Sequence, residues 1–310
     1  MSTFIVQGGK PLKGEIIPQG AKNEALQIIC ATLLTPEKVT IKNLPDIADV
    51  SRIIELLISL GVTVKRESRS VISFEASNIN LDYLQTKEFR DQSISMRGSI
   101  MVVGPLLARF GKAFIPQPGG DKIGRRRIDT HFIGFRKLGA NFEYDSTGSF
   151  YKLEASTLNG TYIHLDEASV TGTANIVMAA VLAKGSSTIY NAACEPYIQQ
   201  LCKMLVSMGA KIDGIGSNLL RIEGVKELTG CIHEILPDMI EIGSFIGMAA
   251  MTESELTIKN VSYDNLGIIP DSFRRLGINL EKSGDDIIIP HQLHYEIETF
   301  IDGSIMVIAD

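Results

Sequence analysis

No two cysteines in this chain stand at the spacing of a redox pair or a metal site. The four, Cys30, Cys194, Cys202 and Cys231, form no CxxC motif. A reducing cytoplasm is the simplest setting for such thiols. Long hydrophobic runs are also missing. The longest, such as Ile176–Ala183, fall far short of a membrane span. The first ten residues, MSTFIVQGGK, lack the basic segment and apolar stretch of a signal peptide. A basic surplus is absent too. The formal net charge of −6 argues against a general nucleic-acid or acidic-membrane binder. Several chemical signatures fail as well. There is no GxxxxGK[ST] loop and no GxSxG elbow, and GIGSNL from Gly214 lacks the third glycine of a dinucleotide fingerprint. His291 and His294 have no neighbouring carboxylate or cysteine cluster to complete a metal site.

What is present is an ordinary globular composition and a repeat. The 310 residues, 45% hydrophobic and 21% charged, suffice for two domains. Four segments end a helix pattern on one phrase: Leu60-Gly61-Val62, Leu138-Gly139-Ala140, Met208-Gly209-Ala210 and Leu276-Gly277-Ile278. Their glycines stand 78, 70 and 68 residues apart. Each follows a strand-like run, as in KVTIKNL from Lys38 and ELTIKNV from Glu255, and two short strands come after it. Apolar helices from Ala25, Ser99, Thr173 and Ile242 precede the strand-like runs. PLKGEI, TLNGTY and ELTGCI form matching leads into a first strand. Each copy therefore reads strand, helix, strand, helix, strand, strand.

The two helices of a copy differ in kind. The second is amphipathic, with Val50, Ile53, Ile54 and Leu57 at helical spacing, and ends at a glycine suited to a left-handed stop. The first, as in Ile176–Leu182, is apolar all round and should be buried on every side. The strands alternate, Leu220 and Ile222 against Arg221 and Glu223, so one sheet face is wet. The pattern predicts an α/β fold of βαβαββ units around central helices, the reverse of a sheet covered by helices. The copy from Gly230 onward opens a second domain or adds a fourth blade.

Each inner helix starts in a small or charged cluster: Gln19–Glu24, Ser93–Ser99 and Ser169–Thr173. If the inner helices run parallel, these starts converge, and their N–H groups and dipoles make an anion site to which Lys22 and Arg97 add full charges. Ordinary capping by Ser, Thr and Asn explains the same residues. The run Pro118–His131 holds three glycines and four cations within six residues, which suits phosphate or carboxylate. A solvated basic turn fits that composition as well. His131 falls beside Ile128 and Phe135 and reads as a hydrogen-bonded structural histidine.

GAKNEAL from Gly20, MRGSI from Met96, PGGDKIGRRRIDTH from Pro118 and DEASVTGTANI from Asp166 resemble the UDP-N-acetylglucosamine 1-carboxyvinyltransferases, enolpyruvyl transferases that open bacterial peptidoglycan synthesis. The resemblance implies an inside-out α/β barrel of six units, three per domain, with the N-terminal strand crossing into the second domain. On that pattern the first domain spans residues 22–232, and residues 1–21 with 233–310 form a partial second one. The implied reaction moves an enolpyruvyl group from phosphoenolpyruvate to the sugar 3-hydroxyl and releases phosphate, with no metal or other cofactor. By motif, Lys22 and Asn23 would contact phosphoenolpyruvate and Arg97 the sugar nucleotide. Arg126 would neutralise phosphate, and Arg126, Arg127, Ile128, Asp129 and Thr130 would hold the uridine side. Ser169 and Val170 would offer backbone donors to the diphosphate.

Three departures stand out. Asp121 replaces the cysteine the family usually carries as proton donor and fosfomycin target, as it does in some members. Glu167 replaces a basic residue. Only four units and the start of a fifth are present, so the family's general base, an aspartate of the second domain, would lie beyond Asp310, and the chain reads as C-terminally truncated. The alternatives are the shikimate-branch enolpyruvyl transferase, a non-catalytic sugar-nucleotide binding form, and a bare repeat scaffold.

Overall fold

The computed structural model describes residues 3–116, 128–145 and 150–304. Its strands are β1 (Lys13–Ile16), β2 (Val39–Lys42), β3 (Thr63–Arg66), β4 (Ile72–Glu75), β5 (Lys112–Pro116), β6 (Asn141–Asp145), β7 (Phe150–Glu154), β8 (Tyr162–His164), β9 (Ser186–Tyr190), β10 (Lys211–Asp213), β11 (Leu219–Glu223), β12 (Ile232–Glu234), β13 (Glu255–Ile258), β14 (Glu281–Ser283) and β15 (Asp286–Ile289). The helices are α1 (Lys22–Ala31), α2 (Ala48–Ser59), α3 (Lys87–Ile94), α4 (Val103–Phe110), α5 (Asp129–Lys137), α6 (Val170–Ala180), α7 (Pro196–Ser207), α8 (Met239–Met251) and α9 (Ile269–Arg275). Two compact bodies divide the chain, one of Lys22–Ile235 and one of Met1–Ala21 with Leu236–Asp310.

The helix stops are the clearest expression of the repeat. Gly61, Gly139, Gly209 and Gly277 all have positive φ, between 82° and 104°. In each, the glycine N–H reaches the carbonyl three residues back and the next N–H reaches the one five back, as in Gly61 to Ile58 at 2.9 Å and Val62 to Leu57 at 3.0 Å. This pair of bonds closes the last carbonyls of α2, α5, α7 and α9. An L side chain at these glycines would be strained, which is why one residue type recurs.

The sheets repeat with them. Three have four strands, in the orders β12-β2-β4-β3, β8-β9-β11-β10 and β1-β13-β15-β14. The outer leading strand is parallel to its neighbour and the other pairs are antiparallel. The second copy departs from the expected pattern. Among the described residues its sheet has three strands, β5-β7-β6, with α3 and a short 3₁₀ segment ahead of α4. The leading strands of the first and fourth copies are also exchanged. The PLKGEI strand, β1, pairs with β13, while the ELTGCI strand, β12, pairs with β2 in the larger body. The copy expected to open a second domain at Gly230 therefore gives its first strand to the first sheet. The division falls after Ile235 rather than at residue 232.

Within the larger body the arrangement is inside-out. Every residue of α6 from Gly172 to Ala180 is buried. It packs against α1, α4, α5 and α7. The sheets carry the wet faces: Leu220 and Ile222 of β11 are buried while Arg221 and Glu223 are exposed. Burying Ile176, Val177 and Met178 along α6 contributes roughly 6 kcal/mol before conformational entropy is charged against it. In the smaller body α8 buries only Ile242, Ile246 and Ala249, and Ile240 and Met251 stay exposed. The described residues there supply one sheet, so only one helix face is covered.

The second inner helix is not the single α-helix expected from Ser99. Arg97–Val102 is a 3₁₀ segment that passes into α4 at Val103. Pro105 explains the break, since its ring cannot face the carbonyl four residues back in a regular helix. Gly104 supplies the rest. Its missing side chain lets α4 touch α6, where an added Cβ would lie 2.3 Å from the Asn175 carbonyl oxygen.

Candidate active site

The starts of the three inner segments meet. Lys22 and Asn23 open α1, Arg97 opens the 3₁₀ segment, and Thr171 is the second residue of α6. All four line one cleft of the larger body, together with Asp49 and Arg52 from α2. Helix starts bring partial positive charge to such a place, and three cations against one carboxylate add to it. Lys22 is 2.5 Å from Asp49, whose other oxygen is 3.9 Å from Arg52.

Capping and ligand-site readings divide between the helices. Ser169 caps α6, its hydroxyl accepting from the Gly172 N–H at 3.2 Å, so the ordinary explanation holds for that side chain. Val170 follows as the first residue of α6. Arg97 starts a segment with no side-chain cap. Ile128 and Asp129 lie at the start of α5, beside the turn before α6. The Thr130 hydroxyl donates there to Glu167 at 3.1 Å and lies 3.4 Å from Asp166. Glu167 thus ties the start of α5 to the turn before α6. Asp121, Arg126 and Arg127 lie outside the described residues.

His131 is buried, as its position beside Phe135 led us to expect. Its Nδ1 is 3.0 Å from Asn175 Nδ2 and its Nε2 is 3.3 Å from the Thr171 hydroxyl. Burial, with the nearby Arg97 charge second, pushes its pKa down to about 3. The ring is therefore neutral at physiological pH. Among the described residues no three His, Cys, Asp or Glu side chains gather as metal ligands would. No helix there is long and apolar enough to cross a membrane.

The family described as EPSP synthase (3-phosphoshikimate 1-carboxyvinyltransferase) matches residues 6–306. Two curated relatives, from Bacteroides thetaiotaomicron and Porphyromonas gingivalis, are 66% and 65% identical over 310 residues. Both are called UDP-N-acetylglucosamine 1-carboxyvinyltransferase. This chain belongs to the UDP-N-acetylglucosamine 1-carboxyvinyltransferase family.

As a family member it spans 71% of the length of those two relatives. Its fold also matches solved enzymes at low identity. The enolpyruvyl transferase NikO from Streptomyces tendae superposes with a TM-score of 0.78 at 18% identity, over 91% of this chain and 66% of that one. EPSP synthase from Acinetobacter baumannii gives 0.68 at 16%, over 93% of this chain and 66% of that one. Placed in the carboxyvinyltransferase family, the cleft holds two residues that the motifs did not single out, Asp49 and Arg52. The sequence signal for them is weak: an acidic residue in the first turn of α2, with a cation one helical turn on. Asn175, inside an apolar helix, was the other signal passed over.

Proposed function

We propose that this chain carries the substrate-binding cleft of an enzyme that transfers the enolpyruvyl group of phosphoenolpyruvate to the 3-hydroxyl of UDP-N-acetylglucosamine, releasing phosphate. One observation carries the reading. The starts of two inner segments bring Lys22, Asn23 and Arg97 into one cleft with Thr171 of a third, in a chain 66% identical to a carboxyvinyltransferase. Lys22 and Asn23 would hold phosphoenolpyruvate, an ammonium and an amide against its anionic oxygens. Arg97 would grip the sugar nucleotide. Arg126 would neutralise phosphate, and the segment from Arg126 to Thr130, with the backbone of Ser169 and Val170, would hold the uridine and diphosphate.

The chemistry is addition followed by elimination. The sugar hydroxyl gives up its proton to a base as its oxygen bonds to the central carbon of phosphoenolpyruvate, and the methylene carbon takes a proton from the acid. Loss of phosphate from the central carbon, with loss of a proton from the new methyl group, then restores the double bond. Asp121 is the proposed proton donor. A free aspartate, with a pKa of about 3.9, is ionised at neutral pH. Donation therefore requires that bound phosphorylated substrate raise its proton affinity, as neighbouring negative charge does. The setting proposed is the bacterial cytoplasm, in the synthesis of the cell wall.

Phosphate release measured with phosphoenolpyruvate and either UDP-N-acetylglucosamine or shikimate 3-phosphate tests the substrate. Release dependent on the sugar nucleotide is expected, and release only with the shikimate ester would overturn the assignment. Calorimetric binding of the sugar nucleotide without turnover would reduce the chain to a binding form. Replacing Asp121 by Asn should lower turnover by about 100-fold or more, the scale of a lost general acid. Near-normal turnover of that variant would end the proton-donor role. Fosfomycin should leave the enzyme active, because a carboxylate is a poor trap for the epoxide. A covalent mass gain on residue 121 would show otherwise.

A further inference from the structure

The least expected polar residue in the protein is Asn175, wholly buried in the middle of an apolar helix. Its Oδ1 accepts from the Gly104 N–H at 2.7 Å, and its Nδ2 donates to the Ile100 carbonyl at 2.8 Å. Residues 100 and 104 are the two ends of what would be one α-helical hydrogen bond. The amide is inserted into that bond. Its orientation follows from chemistry alone, because a flipped amide would set N–H against N–H and oxygen against oxygen.

That fixed amide sets the polarity of everything beyond it. Nδ2 has two hydrogens, one for Ile100 and one for His131 Nδ1 at 3.0 Å. His131 Nδ1 is therefore an acceptor. A neutral imidazole has one N–H, so the proton sits on Nε2. Protonating Nδ1 would set it against the amide hydrogen, which agrees with the low pKa of the ring. Nε2 is 3.3 Å from Thr171 Oγ1, which must accept. The Thr171 hydroxyl proton is then directed away from His131, and Thr171 lines the cleft with Lys22, Asn23 and Arg97.

We infer that the Thr171 hydroxyl is a preset hydrogen-bond donor to an anionic oxygen of the bound substrate, aimed by Asn175 and His131 as positioning residues. The inference rests on the reading that this cleft takes a phosphorylated ligand. It assigns His131 a purpose beyond packing. An imidazole able to take either tautomer would let the hydroxyl turn inward, whereas this one cannot. A hydroxyl whose acceptor side is already occupied gives up no rotational choice on binding.

The test is calorimetric titration of the full chain with phosphoenolpyruvate and with UDP-N-acetylglucosamine, each at fixed salt. Thr171→Val keeps the shape and removes the donor, and should weaken one of the two ligands by about 10-fold or more, the scale of a hydrogen bond to a charged group. Thr171→Ser should restore it to within about 2-fold. Lys22→Ala marks the cleft. If Lys22→Ala abolishes binding while Thr171→Val leaves both affinities unchanged, the inference is overturned and the proposed function stands. If the wild-type chain binds neither ligand, both fall. Nitrogen-15 spectra of the histidine rings give a readout independent of any variant. His131 should show the Nε2–H tautomer, and an Nδ1–H tautomer or an imidazolium at neutral pH would refute the relay.

Discussion

Asp49 governs how much of the positive charge in the cleft is open to a ligand. It binds the Lys22 ammonium and stands within reach of the Arg52 guanidinium. Both ion pairs are half exposed, so their worth to stability is small, within about 1 kcal/mol. Their worth to binding is larger, since the carboxylate repels any incoming phosphate at close range. Asp49→Asn should therefore raise the affinity for inorganic phosphate several-fold, with stability unchanged within about 0.5 kcal/mol. Equilibrium dialysis across an ionic-strength series measures this, and an affinity that falls or stays level would contradict it. Turnover of the same variant should drop, because Lys22 loses the partner that holds it. The carboxylate was readable in sequence only as one more acidic residue in a first turn; its pairing with α1 depends on where α2 is packed.

The contact of α4 with α6 depends on small residues placed where two backbones cross. An added Cβ at Gly104 would meet the Asn175 carbonyl oxygen at 2.3 Å and its Oδ1 at 2.5 Å. Neither atom is the loose end of a flexible chain. Gly104→Ala should accordingly destabilise by about 3 kcal/mol, the upper part of the range for overpacking. Gly134 of α5 would meet the Ile176 side chain at 2.2 Å. That tip can shift, so Gly134→Ala should cost less, about 1–2 kcal/mol. Urea unfolding of the two variants compares them, and equal or reversed losses would show that the helix crossing yields more readily than argued. The break at Val103 was legible in the Gly104-Pro105 pair, but the apolar pattern drew attention to a continuous helix. The amide of Asn175 that closes the gap comes from a helix 71 residues further along the chain.

The cost of burying His131 is borne by the whole fold, so it is measured on global unfolding. The folded chain holds the ring at a pKa of about 3 against an ordinary 6.5. Between those values the unfolded chain binds a proton that the folded chain refuses. Stability from this group is thus complete above about pH 6.5 and lost as pH falls towards 3, by about 1.4 kcal/mol for each pH unit. Denaturant unfolding between pH 4 and 6 should show that slope as part of the total. His131→Phe should remove it, making the profile shallower by roughly the same amount, and an unchanged profile would place the titrating group elsewhere. At the same scale lies the exchange of leading strands, by which β1 serves the fourth copy's sheet and β12 the first's. The helices preceded by these strands are therefore covered by sheets that begin elsewhere in the chain.

What the sequence by itself determined were the features with local causes. Glycine at positive φ closes four helices because no L side chain is at ease there. Apolar residues all round α6 mark it as interior, and alternation marks the wet sheet faces. The motifs at Gly20, Met96, Pro118 and Asp166 carried the family. The tertiary structure alone decided which strand completes which sheet, because the backbone donors and acceptors of β1 and β12 are chemically alike and either would pair with either neighbour. It alone brought Asp49 to Lys22, and Asn175 to His131 and Thr171. Those meetings join distant segments, and their hydrogen-bond polarity exists only once the helices have crossed.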